Sequence, residues 1–362
     1  MNSVIPVERL HGVGVVVDNL DRATRRYAEV FGIDQWEVRT YDANRLTHAS
    51  SYGRATAPVW RTATGSTTPP GADDLPVTVE LIEHVSGENP WHEFACTRKQ
   101  GIAHLTLAVQ SVDAFERLRP QLEDAGLPIV AAYEVDGRVR RYFIDVRQPL
   151  GGFLVEIRVP VGDDVAIAVD EVWDHAGTYS RPEGVGPYEV QRVHHFGIVI
   201  DNLMTTLPEY NRLLGVPDFM IRNWRSAPGS LENAYYRDQP VDHAYFTGLG
   251  QCADFGVEII QPTFGPQHYQ DEFRGIWGPG VHHMLLSITY DAEAFTRNQE
   301  WLASIGMPLA MGADIGSGCF CYHDTVEDLG GFILEGVRRG SDPTKRPQPA
   351  WTIDFSAIAA RL

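Results

Sequence analysis

Residues 191–203, QRVHHFGIVIDNL, repeat with few changes the stretch ERLHGVGVVVDNL at residues 8–20. The two stretches align without a gap, so that His194 matches His11 and Gly197 matches Gly14. Such a repeat indicates an internal duplication, and a duplication governs the fold of the whole chain. One mismatch stands out, because His195 in the second copy stands where the first copy has Gly12.

The duplication continues through the rest of each half of the chain. GIAHLTLAV (101–109) matches GVHHMLLSI (280–288), GGFLVEIRV (151–159) matches GGFILEGVR (330–338), and VTVELIEH (77–84) matches FGVEIIQP (255–262). The sequence therefore predicts an N-terminal domain at 1–160, a Pro/Gly/Asp-rich linker at 161–187, a C-terminal domain at 188–340 and a tail at 341–362.

A finer repeat divides each half into two modules. Each module has a His-bearing strand, an amphipathic helix with apolar residues at i, i+3, i+4 and i+7, and strands that end on a Glu-bearing strand. In the first module we expect the helix to begin with Asp18 as N-cap and to end before Gly32. The sequence thus predicts an α+β protein of four βαβββ modules.

Composition excludes several functions. The formal charge of −18 is unfavourable for nucleic-acid binding, which needs basic patches, and for long-range steering of a highly anionic substrate. It does not exclude an anion held locally by a metal. The four cysteines show no zinc or disulfide spacing, and the sequence has no apolar run of membrane-spanning length and no signal peptide at its start. We expect a cytoplasmic protein that acts on a small molecule, and association into a homodimer stays open.

Four residues at matched positions of the modules are candidate metal ligands, namely His195, Glu258, His283 and Glu335. Alternate residues of a strand face opposite sides of a sheet, so each can point into a cavity while its neighbours pack against helices. Imidazole nitrogens combined with carboxylate oxygens suit one divalent ion of Zn, Fe, Mn, Co or Ni. Any one of these residues alone would more often be an ordinary core residue.

The repeated motifs resemble the vicinal oxygen chelate superfamily, which includes glyoxalase I, methylmalonyl-CoA epimerase, extradiol dioxygenases and the fosfomycin and bleomycin resistance proteins. The resemblance rests on VHHFGIVIDNL, on GPGVHHMLLSI and on the closing strands YFIDVRQPLGGFLVEI and CYHDTVEDLGGFILEGV. Thr325 after Asp324 and the Gly330-Gly331 pair are closer to the glyoxalase and epimerase branch than to the dioxygenases. The resemblance implies two tandem domains with curved mixed sheets, each shaped as a cup for one divalent metal.

The same resemblance selects ligands by register. It implies His195 instead of His194, His283 instead of His282, and Glu258 with Glu335, which completes a set in the C-terminal half. The corresponding N-terminal positions are Gly12, Glu80, His104 and Glu156. Glycine cannot bind a metal, and His11 lies one residue out of register. We therefore expect the N-terminal domain to be metal-free.

Two pairings of the modules are compatible with the sequence. Modules can pair within each half, so that the C-terminal domain carries the chemistry alone. Alternatively they can pair across halves, which would give one site from Gly12, Glu80, His283 and Glu335, and another from His104, Glu156, His195 and Glu258.

The favoured function is metal-dependent proton transfer, in isomerase or lyase chemistry, on an oxygen-rich small molecule through a metal-stabilised enolate. Glu258 or Glu335 would act as the base, with Glu335 preferred by resemblance to the glyoxalase pattern.

Two alternatives remain. His195, His283 and Glu335 would also serve as the Fe(II) ligands of an extradiol-type dioxygenase. The other alternative is a non-catalytic protein that sequesters a drug or toxin. The residues expected in the pocket, as acid/base groups beside the metal ligands or as its lining, are His243, Tyr245, His268, Tyr269 and Tyr322.

Overall fold

The computed structural model describes residues 3–162, 166–226 and 230–359. Residues 163–165 of the predicted linker and the last three residues of the predicted tail lie outside the described residues.

The N-terminal half forms one mixed sheet of 11 strands. Its elements in chain order are β1 (Gly12–Val16), α1 (Leu20–Phe31), β2 (Gln35–Tyr41), β3 (Leu46–Ser51), β4 (Arg54–Ala55), β5 (Val59–Ser66), β6 (Thr78–Ser86), α2 (Pro90–Arg98), β7 (Gly101–Val109), α3 (Val112–Asp124), β8 (Ile129–Val135), β9 (Val139–Asp145), α4 (Arg147–Leu150), β10 (Leu154–Pro160) and β11 (Glu171–Asp174).

The C-terminal half forms a second mixed sheet of 11 strands. Its elements are β12 (His195–Val199), α5 (Leu203–Leu214), β13 (Asp218–Arg225), β14 (Glu232–Tyr236), β15 (Gln239–Pro240), β16 (Ala244–Cys252), β17 (Phe255–Phe264), a π-helix (Tyr269–Arg274), α6 (Gly275–Trp277), β18 (Gly280–Thr289), α7 (Ala292–Ser304), β19 (Leu309–Ile315), β20 (Gly318–His323), α8 (Val326–Leu329), β21 (Ile333–Arg338), a 3₁₀ helix (Pro343–Lys345), β22 (Trp351–Asp354) and α9 (Phe355–Ala359).

The two sheets have the same strand order. The first runs β11-β2-β5-β6-β1-β7-β10-β9-β8-β3-β4 and the second runs β22-β13-β16-β17-β12-β18-β21-β20-β19-β14-β15. In each, the first strand of the half pairs antiparallel with the strand that opens the second module, as β1 does with β7 and β12 with β18. Strand pairing therefore joins modules within each half, which is the first of the two arrangements, and the tandem α+β fold predicted from the repeat is confirmed.

Helix α1 shows how local sequence sets the element boundaries. The side chain of Asn19 accepts a hydrogen bond from the backbone N–H of Arg22, so Asn19 is the N-cap and the prediction of Asp18 was wrong. The Asp18 carboxylate instead pairs with the Arg22 guanidinium at 2.6 Å. At the other end Gly32 has φ 71°, a left-handed conformation that glycine adopts without strain and that ends the helix as predicted.

The halves meet through reciprocal contacts. The Tyr27 hydroxyl donates to the carbonyl oxygen of Leu329 at 2.8 Å, and the Tyr210 hydroxyl donates to that of Leu150 at 2.7 Å. Tyr27 and Tyr210 are matched positions of the repeat, and so are Leu150 and Leu329. The contact is therefore the intramolecular equivalent of a twofold interface, in which each partner presents the same surface.

Glycines allow the halves to approach closely. A Cβ at Gly151 would lie 2.7 Å from Ile198 Cγ2, and one at Gly330 would lie 2.8 Å from Val15 Cγ1. Both glycines have φ near 90°, which other residues rarely adopt. Buried side chains of both halves consequently form one continuous apolar core.

Strands β11 and β22 extend each sheet at the corresponding edge. β11, from the predicted linker, pairs with β2, and β22, from the predicted tail, pairs with β13. No helix among the described residues is long and apolar enough to cross a membrane.

Candidate metal centre

Four adjacent strands of the second sheet bring together the four residues predicted as ligands. His195, Glu258, His283 and Glu335 come from β12, β17, β18 and β21, and each offers one donor atom within 4.8 Å of the others. The cluster is buried except for Glu258, which is partly exposed.

The donor atoms are not evenly spaced. Glu335 Oε2 lies 2.8 Å from His195 Nε2 and 3.4 Å from His283 Nε2. Glu258 Oε2 lies 3.6 Å from each of these nitrogens. One carboxylate is therefore hydrogen-bonded within the cluster, whereas the other approaches it without a short contact.

Gly197 makes room for the His283 ring. It lies opposite both Glu258 and His283 in the sheet, and a Cβ at Gly197 would lie 1.9 Å from His283 Cε1. No side chain other than hydrogen leaves this ring in place. The sequence contained the signal, because glycine recurs at the matched positions 14 and 197, but its role was not recognised.

The cluster concentrates negative charge that requires a cation. Burial favours a neutral Glu335, but attraction and hydrogen bonds from His195 and His283 outweigh it and lower the pKa of Glu335 to about 2. Burial likewise favours a neutral His283 ring, yet Glu335 and Glu258 raise its pKa to about 9. The two carboxylates thus attract positive charge to this point, either as a proton on His283 or as a metal ion. A divalent ion is compatible with the donor set, since both nitrogen and oxygen donors are available.

A chain of hydrogen bonds runs from His283 away from the cluster. His283 Nδ1 lies 3.0 Å from His282 Nδ1, and His282 Nε2 lies 2.8 Å from His268 Nδ1. His268 Nε2 then points toward Glu272 Oε2 at 3.7 Å. Tyr236 and Arg237 donate hydrogen bonds to the Glu272 carboxylate.

The π-helix positions the outer members of this chain. Glu272 lies on it, and His268 immediately precedes it. A π-helix adds one residue per turn, is rare, and often occurs at functional sites. The sequence analysis placed His268 in the pocket but did not foresee its connection to His283 through His282.

A cavity of about 570 Å³ adjoins the cluster. It is lined by His195, Glu258 and Glu335 together with the predicted pocket residues Tyr245, Tyr269 and Tyr322. The Tyr269 and Tyr322 hydroxyls form a hydrogen bond of 2.5 Å. The other two predicted pocket residues, His243 and His268, are buried, and neither is among the described residues that line this cavity.

Two of the histidines rejected by register, His194 and His11, are not among the clustered donors. His194 Nε2 bonds to Gln191 Oε1 at 2.9 Å, and burial lowers the pKa of His194 to about 4. His11 lies 3.4 Å from Glu8 on the partly exposed surface of the other half.

The N-terminal domain gathers Glu80, His104 and Glu156 in the matching place, but arginine occupies it as well. Arg141 donates to both oxygens of Glu80, at 2.9 and 2.6 Å, and its Nε contacts Glu156. Arg158 adds two bonds of 3.1 Å to Glu156. Two guanidinium groups thus balance two buried carboxylates, which supports the expectation that this domain is metal-free. The sequence analysis missed Arg141, which lies on a strand that supplies no ligand.

Similarity to known proteins accords with this architecture. The family model described as Glyoxalase/Bleomycin resistance/Dioxygenase superfamily matches residues 11–144. No curated protein sequence matches the chain.

Among solved structures, a mutant 4-hydroxymandelate synthase from Streptomyces coelicolor aligns with TM-score 0.52 and 12% identity, covering 98% of this chain and 96% of the synthase. The 2,3-dioxygenase LapB from Pseudomonas sp. KL28 aligns with TM-score 0.44 and 14% identity, covering 96% of each chain. A methylmalonyl-CoA epimerase aligns with TM-score 0.31 and 15% identity, covering 45% of this chain and 100% of the epimerase.

The similarity to the synthase shows a shared fold across nearly the whole chain. Residues 11–144 match the Glyoxalase/Bleomycin resistance/Dioxygenase superfamily domain, the family that the repeated motifs resemble.

Proposed function

We propose that the chain is a metal-dependent enzyme whose C-terminal domain transfers a proton, in an isomerase or lyase reaction, on a small molecule with two adjacent oxygens. The observation that carries this proposal is the unequal placement of the two carboxylates. Glu335 is buried and hydrogen-bonded to His195, whereas Glu258 is partly exposed to the cavity.

His195, His283 and Glu335 would hold the ion, with Glu258 as a fourth donor. A divalent ion bound there supplies Lewis acidity that stabilises negative charge developing on substrate oxygens. Elemental analysis of the protein would identify which of Zn, Fe, Mn, Co and Ni is bound.

Glu258 is the better base. Its Oε2 is 3.6 Å from the ring nitrogens of both histidines, so no short hydrogen bond restrains it, and it lines the cavity in which a substrate would lie. A general base needs this access to the proton that it removes. The distances therefore favour Glu258 over Glu335, the residue preferred by resemblance.

Tyr269 and Tyr322 would orient the substrate. Burial raises the pKa of both hydroxyls well above their usual range, so both keep their protons. One hydroxyl donates to the other, and the second proton is left for a hydrogen bond to the substrate. Both face the cavity beside the donor cluster.

A second function is favoured by a specific feature of the same cluster. His195, His283 and Glu335 are the two-histidine, one-carboxylate set of non-haem Fe(II) oxygenases, and Glu258 stands slightly apart from it. The activity of an extradiol-type dioxygenase is therefore the second candidate function.

The test uses protein loaded with one metal at a time. 2-Hydroxyacetophenone, which carries adjacent carbonyl and hydroxyl oxygens, is incubated with the protein in D₂O, and NMR follows exchange of its α-hydrogens. We expect exchange without oxygen that falls at least about 100-fold in Glu258→Gln, the usual size of general-base catalysis. Oxygen uptake with catechol by the Fe(II) form, with no exchange by any form, would favour the dioxygenase. If neither activity is detected and a small molecule still binds after a chelator has removed the metal, the chain is only a binding protein.

A further inference from the structure

We propose that the substrate of this site is an organic anion with an apolar body, whose acidic group is bound by Arg222 while its adjacent oxygens meet the metal donors. Only the part of this inference that concerns the adjacent oxygens and the metal donors rests on the proposed function.

Arg222 lies on the inner face of the cup. Side chains alternate along β13, and Met220, Arg222 and Trp224 line the cavity while Phe219 and Ile221 are buried in the core behind it. The guanidinium carbon lies 5.8 Å from the centre of the Trp224 ring. This stacking holds the side chain in the cavity.

Arg222 forms no ion pair with any other described residue. Burial lowers the pKa of its guanidinium from the usual value, and the attraction of Glu258, which opposes this, does not outweigh it. Removing a cation from water without a partner is unfavourable. Two other half-buried arginines do form ion pairs, Arg237 with Glu272 and Asp324, and Arg147 with Asp145. A bound anion would supply the missing partner.

The charge of the cavity differs from that of the chain. Apart from the metal donors, Asp218 is the single acidic residue among the described residues that line it, whereas four arginines do so, namely Arg222, Arg338, Arg339 and Arg346. This excess occurs in a chain with a net charge of −18. Because the overall field repels anions, the arginines must act locally, inside the cup.

The spacing sets the shape of the ligand. Met220 lies opposite Leu249, which lies opposite Glu258, so the strand of Arg222 is two strands away from that of Glu258, the first of the metal donors along the sheet. Two strand spacings correspond to about 10 Å across the sheet, about the length of a substituted aromatic ring. The wall of the cavity includes Met220, Trp224, Leu249, Leu285, Phe320 and Val337.

The experiment compares two oxygen chelators that differ in charge. Benzohydroxamate and 4-carboxybenzohydroxamate are titrated into Co(II)-loaded protein, with calorimetry to measure binding and the visible spectrum to detect engagement of the metal. We expect the carboxylate to strengthen binding about tenfold or more, the usual effect of a charge-assisted hydrogen bond. Arg222→Gln should remove this preference and leave benzohydroxamate binding within about twofold of wild type, because a residue outside that contact contributes little. The control is Arg225→Gln, an exposed arginine on the same strand that does not line the cavity.

The outcomes separate the two proposals. If both chelators change the cobalt spectrum but bind equally, or if the preference survives in Arg222→Gln, the anion site is wrong while the metal site stands. If the spectrum never changes but Arg222→Gln still weakens the carboxylate ligand, the metal site is wrong and the anion site stands.

Discussion

The imidazole ring of His283 occupies the space in front of Gly197, where a methyl group would lie 1.9 Å from its Cε1. His104 and Gly14 have the same relationship in the other half, also at 1.9 Å. The repeat thus preserves a glycine for each of these two histidines.

Replacing Gly197 with alanine should displace His283 and remove the bound metal. A contact this short cannot be relieved by small adjustments, so the ring must leave the cluster. Metal content after dialysis, with circular dichroism to verify folding, tests this. The matched control is Gly14→Ala, which should destabilise the N-terminal half while metal stoichiometry stays unchanged. Equal metal loss in both variants would contradict the assignment of the site to the C-terminal half.

The relay from His283 to Glu272 should strengthen metal binding. When His283 Nε2 faces the ion, Nδ1 carries the proton and donates to His282, whose Nε2 proton is donated to His268. Such outer hydrogen bonds typically contribute a factor of about 10–100 in metal affinity. His268→Phe, measured by competition with a chromophoric chelator, should weaken metal binding to this extent, and Glu272→Gln should have a smaller effect in the same direction. Unchanged affinity in His268→Phe would show that the chain of histidines is only packing.

The metal-free protein should lose stability as the pH rises above neutrality. The pKa of His283 is raised to about 9, so its contribution is fully present below the unfolded-state value near 6.5 and is lost as the pH rises through about 9. The loss should be on the order of 3 kcal/mol, since each unit of pKa corresponds to about 1.4 kcal/mol. Urea denaturation of chelator-treated protein between pH 6 and 10 measures it. His283→Asn should abolish most of the slope; a slope that persists in this variant must come from other groups.

Arg141 should be essential to the N-terminal core. Among the described residues, Arg141→Met leaves Glu80 with Arg158 and His104 as its remaining ion-pair contacts, each at 3.7 Å. Breaking a buried ion pair typically costs about 3–5 kcal/mol. The triple variant Gly12→His/Arg141→Phe/Arg158→Val, which copies His195, Phe320 and Val337 from the second half, should instead bind a metal ion. Elemental analysis would then give a second equivalent. One equivalent in a folded triple variant would show that arginine is not what excludes the ion.

The sequence was sufficient to predict the fold and the membership of the cluster. The repeat gave matched candidate positions, the resemblance to the superfamily implied His195 instead of His194 and His283 instead of His282, and the structure brings these residues together. The fold and the candidate ligands depend on the spacing of residues along strands and helices. This spacing is periodic and can be read from a single sequence.

Other features could not be predicted because they depend on contacts between distant strands. Arg141 meets Glu80 only after two modules have paired, and Arg222 lines the cavity only after β13 has paired with β16. The N-cap of α1 differs from the prediction for a local reason. Asp18 and Asn19 are both residue types that cap helices well, but the Asp18 carboxylate pairs with the Arg22 side chain and Asn19 caps the helix.

The reciprocal contacts Tyr27–Leu329 and Tyr210–Leu150 have a consequence for how the two halves can differ. In a symmetric dimer of single domains, one substitution changes both copies, so replacing a ligand histidine by glycine would destroy both metal sites at once. Here the two partners are encoded separately and always meet each other. Gly12 and Arg141 can therefore convert one cup into a metal-independent support while the other keeps its complete donor set.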